Sequence, residues 1–409
     1  MSTGSASRER TWVDVPAGSP FGLDNLPYGV VRTSAGHHVV TAIGDQVVDL
    51  SAASAFGVLP DPDGLLAGPS LNPLLAAGRP QWTQVRREIV GLLTDQARAA
   101  STQRCLLDAR DVVHVLPWEL GDYVDFYSCE QHATNLGRIL RPNTEPLNSN
   151  WKQLPVGYHG RAGTVVVSGT HVVRPSGLRP SGDDGAEYGL TRRLDIEAEI
   201  GFVVGTPSPL GRRVPTSAFR AHVFGVVLVN DWSARDIQAF EYVPLGPFLG
   251  KSFATSVSPW IVPLEALEHA RIAPPQQDPQ PAGYLRSVED WGLDITLQVR
   301  INGEIVSRPP FAGMYWTPDQ QLAHMTANGA GLRTGDLFAS GTVSGERQDQ
   351  RGSLIELTWN GESPLRLADG TERAFLTDGD TVSITATTRG DLQPHIGFGE
   401  VAGTVVPAR

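Results

Sequence analysis

The sequence predicts a mostly β protein with some helix, divided into two domains near residue 117. Three observations carry that prediction. At 409 residues the chain is too long for one ordinary hydrophobic core. Short stretches of alternating apolar and polar residues recur along it, separated by turns rich in Gly and Pro. The character also changes around Pro117: a small unit with one long helical pattern precedes it, and a stretch rich in Gly, Val and Thr follows. Hydrophobic residues make up 40% and charged residues 19%, a globular balance that excludes disorder on a large scale.

Residues 1–117 read as short strands at 29–31, 38–43 and 46–50, and one helix. Over residues 81–97, Trp82, Val85, Ile89, Leu92 and Leu93 recur at helical spacing on one face. Catalysis is not expected in this unit, which holds no cluster of carboxylates, His or Cys. Residues 118–409 carry strand-like segments at 163–168, 196–204, 223–230, 294–301, 354–359 and 381–388. Residues 175–192 and 273–283 read as long loops, which in compact domains are often functional. No repeat of fixed period is present.

Several classes are excluded at this stage. The first ten residues have no apolar core for a signal peptide, and apolar runs such as 223–229 are too short to cross a bilayer. Cys105 and Cys129 make no disulfide framework, which fits a reducing cytoplasm. A net charge of −11 makes nucleic acid a poor partner. An anionic substrate would need cations gathered locally. Only Lys152 and Lys251 are lysines among 33 basic side chains. A genome that favours Arg explains the excess of Arg, but leaves open why two ammonium groups remain.

The candidate chemistry begins with Asp195, Glu197 and Glu199, which alternate with Leu194, Ile196, Ala198 and Ile200 and would share one face of a strand. A solvated edge strand is the plain alternative, but the strand runs on into the apolar residues 202–204. Clustered, partly buried carboxylates need a cation. Asp231 follows the apolar run 223–229, and Asp125 precedes a helix. The donors are all oxygen, which implies a hard cation such as Ca²⁺ or Mg²⁺ rather than zinc. Ser128 and Gln131 fit a capping box for a helix ending near Arg141. His132 then sits in its first turn, where the helix dipole disfavours imidazolium. Alone, a packed histidine without a role is the commoner case. On a helix from 235 to 242, Arg235, Gln238 and Tyr242 share a face, and the guanidinium of Arg235, the amide of Gln238 and the ammonium of Lys251, converging on one point, could stabilise an oxyanion. The segment 246–252 fails as a P-loop because three residues, not four, separate its glycines. The segment 397–403 likewise lacks dinucleotide-fingerprint spacing.

At these residues the sequence resembles the fumarylacetoacetase family. The motifs are GDYVDFYS at 121–128, QHATN at 131–135, LPVGYHGRA at 154–162, NDWSARDIQ at 230–238, YVPLGPFLGKS at 242–252 and SGTVSG at 340–345. The opening FGLDNLPYGV at 21–30 and the closing IGFG at 396–399 match as well, so the resemblance covers nearly the whole chain. It implies a small SH3-like N-terminal domain, residues 1–117, and a C-terminal mixed β-sandwich roll, residues 118–409, assembled as a homodimer. It implies metal ligation by Asp125, Glu197, Glu199 and Asp231, with a second cation near Lys251 and Thr255. The ion would be Ca²⁺ or Mg²⁺, with Mn²⁺ a further option, and no organic cofactor is expected. It implies His132 as the base, oriented by Glu356, and Arg235, Gln238 and Lys251 around an oxyanion. Tyr127, Arg141, Tyr158, Gln238, Tyr242 and Thr342 would contact substrate. Lys152 gains no role. The departures from the family pattern are in the loops 175–192 and 273–283.

The activity so implied is hydrolysis of 4-fumarylacetoacetate, a small diketo diacid, to fumarate and acetoacetate, the last step of tyrosine and phenylalanine catabolism, in the cytoplasm. A related β-diketone or acylpyruvate hydrolase is the alternative, and Tyr127, Arg141, Tyr242 and the N-terminal domain speak against it. A binding protein that kept only the scaffold would have no need of His132 and Glu356.

Overall fold

The protein is described here by a computed structural model covering residues 10–182, 185–389 and 394–408. The first nine residues, on which the signal-peptide expectation rests, lie outside them. In the smaller unit, strands Tyr28–Thr33, Gly36–Ile43 and Gln46–Asp49 form an antiparallel meander. Leu106–Asp108 and Val113–Val115 add to its two edges, giving five strands. Tight turns at Gly36 and Gly44, both at positive φ, make the short reversals possible. The helix Arg79–Thr94 buries the five apolar residues that its spacing predicts, and starts with Pro80 in its first turn.

The larger unit is built on two main sheets, with smaller two-stranded pairs beside them. One runs in the order Gly157–His159, Tyr123–Phe126, Leu337–Ala339, Ala198–Val204, Val223–Asp231, Thr255–Val257 and Val165–Val167, with Val262–Pro263 pairing beside Val223–Asp231. The other runs Glu304–Ser307, Ile295–Ile301, Thr381–Thr388, Gly397–Val406 and Val172–Val173. Leu297, Val299, Val382, Ile384 and Val401 meet Ile200, Phe202, Val226 and Leu228 in a core between them.

The central strands of the first sheet are buried on both faces. Val203, Val227, Val229 and Leu337 point away from that core and pack with Tyr28, Trp82 and Ile89 of the smaller unit. Side chains alternate between faces along a strand, so a strand covered on both sides reads as a continuous apolar run, as 223–229 does. Each such large apolar side chain contributes about 1.5–3 kcal/mol when fully buried, which is why these strands tolerate charge only at their ends, where Glu197, Glu199 and Asp231 stand.

Four local expectations are corrected. Residues 175–192 contain a regular hairpin, Ser176–Ser181 against Gly185–Leu190, rather than an irregular loop. Within 354–359 the chain forms the short helix Leu354–Leu357, not a strand. Ser128 does not cap the following helix: Glu130–Leu140 starts from Cys129, and the Ser128 hydroxyl instead accepts from the Gln321 amide at 2.8 Å. The carboxylate-bearing strand is interrupted, with Leu194–Asp195 and Ala198–Val204 in different sheets and Glu197 in the break.

Candidate active site

The sheet delivers four carboxylates to one point. Asp125 is next to last in Tyr123–Phe126, Glu199 stands in Ala198–Val204, and Asp231 ends Val223–Asp231. Glu197 lies in the break just before Ala198, where its backbone N–H donates to the Asn230 side chain at 3.2 Å. All four are buried, and one oxygen from each lies within 4.8 Å of the others. The interruption of the strand also separates Asp195 from the cluster, against the expectation of a shared face.

Buried like charges at this spacing are costly, and the cluster shows it. Burial, and then Asp231, push the Asp125 carboxyl well above its usual range; burial, and then Asp125 and Glu197, do the same to Glu199. Burial also works against ionised Glu197, but Lys251 and Arg235 outweigh it and hold that carboxyl well below the usual range. The Lys251 ammonium donates to Glu197 and Asp231. Asp231 further accepts from the Thr255 hydroxyl at 2.7 Å and from the Tyr158 hydroxyl at 3.1 Å. Both oxygens of Glu199 and Oδ1 of Asp125 meet no hydrogen-bond donor.

Four convergent carboxylates with three oxygens left without donors fit a hard divalent cation. Asp125, Glu197, Glu199 and Asp231 are the residues that would hold it. Chelation with EDTA is expected to lower the melting temperature, because a cation at a hundred times its Kd stabilises the folded state by about 2.7 kcal/mol. Calorimetry with and without Ca²⁺ or Mg²⁺ reads this, and an unchanged transition would count against a resident ion.

Beside the cluster stands a second arrangement. His132, in the first turn of Glu130–Leu140, contacts Glu356 through Nδ1 at 2.7 Å. The Glu356 carboxylate also accepts from Asn135 at 2.9 Å, Ser344 at 2.9 Å and Ser353 at 2.7 Å. Burial opposes ionisation of Glu356, but His132 and these donors bring its carboxyl below the usual range. A carboxylate accepting at Nδ1 places the ring proton there and leaves Nε2 as the acceptor. The Tyr127 ring meets the imidazole edge-on, 5.3 Å between centroids.

His132 and the cluster open into one cleft of about 620 Å³. Asp125, Glu197 and Lys251 form its floor, with Tyr127, Arg141, Tyr158 and Thr342 around it. The helix Arg235–Glu241 brings Arg235, Gln238 and, just beyond, Tyr242 to the same space. Gly250 lets the chain pass close to that helix: a Cβ there would sit 2.7 Å from the Gln238 nitrogen, and the next residue is Lys251. Glu199, Asp231, Thr255 and Glu356 lie behind the lining, fully buried. Nη2 of Arg235 and the Thr342 hydroxyl are buried without a protein partner. Lys152 is far less enclosed, pairing with Glu130 at 2.6 Å.

The cleft also contains residues that sequence reasoning missed. Arg179, Arg192 and Arg193 come from the hairpin and its exit, and Asn360 faces them. The adjacent pair Arg192-Arg193 in an acidic chain was the available signal. Arg193 donates to Asn360 at 3.0 Å.

Comparison with known proteins decides the family. The family described as Fumarylacetoacetase N-terminal matches residues 24–117, and that described as Fumarylacetoacetate (FAA) hydrolase C-terminal matches residues 123–406. The chain belongs to the fumarylacetoacetase family. The Homo sapiens fumarylacetoacetase is 45% identical over 97% of this chain and 99% of its own length. The Arabidopsis thaliana fumarylacetoacetase is 42% identical over 98% and 99%. Among solved structures, a fumarylacetoacetate hydrolase from Exiguobacterium antarcticum covers 94% of this chain and all of its own, with a TM-score of 0.55 at 16% identity. At that identity the likeness speaks for the fold alone. The two-part architecture is thus that of the fumarylacetoacetase family: an N-terminal β domain and a C-terminal domain with a curled sheet.

Proposed function

We propose that the chain hydrolyses the carbon–carbon bond of 4-fumarylacetoacetate, giving fumarate and acetoacetate. The observation that carries this is the His132–Glu356 pair opening into the same cleft as the four-carboxylate cluster. A divalent cation held by Asp125, Glu197, Glu199 and Asp231 would supply Lewis-acid polarisation of the diketone oxygens.

The chain's own residues account for the proton and charge movements. His132 Nε2 takes a proton from water, with Glu356 stabilising the imidazolium through Nδ1. The hydroxide adds to the carbonyl on the fumaryl side. Arg235 Nη2, the Gln238 amide and the third N–H of Lys251 surround the oxyanion that forms. The tetrahedral centre collapses to fumarate, and the bond electrons leave as the enolate of acetoacetate, which receives the proton that His132 took from water. Arg141, Tyr127, Tyr158, Tyr242 and Thr342 bind and orient the diacid. A homodimer and a cytoplasmic setting belong to the same proposal; the two buried free thiols fit a reducing compartment. Among the described residues no helix is long and apolar enough to cross a membrane.

The test is the loss of diketone absorbance when the purified protein meets fumarylacetoacetate, with and without EDTA. Loss that EDTA abolishes and Ca²⁺ or Mg²⁺ restores is expected. No loss by folded, metal-loaded protein overturns the proposal, and turnover of acylpyruvates instead would identify the alternative hydrolase.

A further inference from the structure

Asp195 is fully buried, yet it takes no part in the four-carboxylate cluster. Its Oδ1 accepts from the backbone N–H of Ile196 and of Leu354, both at 2.7 Å. Its Oδ2 accepts from the N–H of Ile355 at 3.0 Å and from Nε of Arg235 at 2.7 Å. Two of these donors open the short helix Leu354–Leu357, which carries Glu356 and through it holds His132. The side-chain donor is the guanidinium whose Nη1 reaches Glu197 at 2.7 Å and Gln238 at 3.2 Å, and whose Nη2 is left without a protein partner. One carboxylate therefore ties together two elements 119 residues apart in sequence (Arg235 and Leu354).

We propose that Asp195 is a positioning residue for the hydrolysis, fixing Arg235 relative to the His132–Glu356 pair. It lies outside both the cleft lining and the carboxylate cluster and acts through its partners. An arginine side chain is flexible and must be held if its fork is to be aimed. Anchoring Nε in advance aims the free Nη2 before charge develops on the substrate, which is the condition under which a donor lowers a barrier. The backbone bonds to residues 354 and 355 hold the helix of Glu356 against the same carboxylate, so the oxyanion donor and the base share one reference point. The inference rests on the function proposed above.

Asp195→Asn keeps the side-chain shape. An amide has oxygen on one side only, so either orientation turns its NH2 group towards two of the four donors. The expected result is a fall in kcat of about 10–100-fold, the usual effect of removing an outer-shell partner, with KM and divalent-cation affinity unchanged. In a double-mutant cycle with Arg235→Ala, D195N should cost less in the Arg235→Ala background than in the wild type, because part of its effect passes through the arginine. Additive losses, or wild-type kcat in D195N, overturn the proposal. If D195N does not fold, free guanidinium added to Arg235→Ala reads the same anchor: recovery of turnover supports it, and no recovery overturns it. The wild-type assay run alongside separates the two claims. No wild-type turnover removes the function proposed above, whereas wild-type turnover with an unaffected D195N removes only this inference.

Discussion

His132→Ala should lower kcat by about 10²–10⁴-fold, the usual contribution of a positioned general base, while the protein stays folded and still binds a divalent cation. The separation of effects follows from geometry. His132 is buried beside the cleft, but it supplies none of the four ligand atoms of the carboxylate cluster. Its removal leaves Glu356 with donors from Asn135, Ser344 and Ser353, so the helix carrying Glu356 keeps its anchors. Steady-state kinetics together with calorimetric cation titration check both halves. Wild-type turnover by H132A would sink the assignment of the base, and loss of cation binding would mean that the substitution has disturbed the cluster.

Lys251→Met should be damaging in two distinguishable ways. Without the ammonium, Glu197 and Asp231 lose their shared cation, and of the four clustered carboxylates only Glu197 keeps an ion pair, with Arg235. Breaking a buried ion pair by removing one partner typically costs about 3–5 kcal/mol. That loss should appear in denaturant unfolding of EDTA-treated protein and shrink when Ca²⁺ or Mg²⁺ is added. Turnover should not return with the cation, because one oxyanion donor is missing, worth about 2.7–4 kcal/mol of barrier. Full recovery of kcat by added cation would show that Lys251 serves only to balance charge.

The sequence made the site more legible than the connections that hold it. Carboxylates ending apolar strands, and a histidine in the first turn of a helix, could be read because strand and helix periods are long enough there to register. Leu354–Leu357 is a single turn, too short to show a helical period, and its apolar residues imitate a strand. The hairpin 176–190 escaped notice because the face it buries carries Gly177 and Arg179 while Leu178 and Tyr188 are exposed, so its hydropathy does not follow the usual alternation. Ser128 looked like a cap because the local pattern fits one; a tertiary partner, Gln321, claimed the hydroxyl instead. Asp195 was grouped with Glu197 and Glu199 by strict alternation, and only the break in the strand parts them. Local pattern does not reveal where a strand changes sheet. The residues placed in the cleft by family resemblance, from Tyr127 to Thr342, line it or stand directly behind it, while Arg193 and Asn360 came to light only with the hairpin and the positive-φ turn at Asn360.

The shared core between the two units has a consequence for dissection. Val203, Phe224, Val227, Val229, Val257, Ile261 and Leu337 are shielded by residues from the first third of the chain. A fragment starting at residue 118 would carry every group assigned to the chemistry, yet it would display this whole apolar sheet face to water, an invitation to aggregate. The N-terminal unit thus covers the back of the catalytic sheet, and melting followed by calorimetry should be one event in which neither half outlives the other.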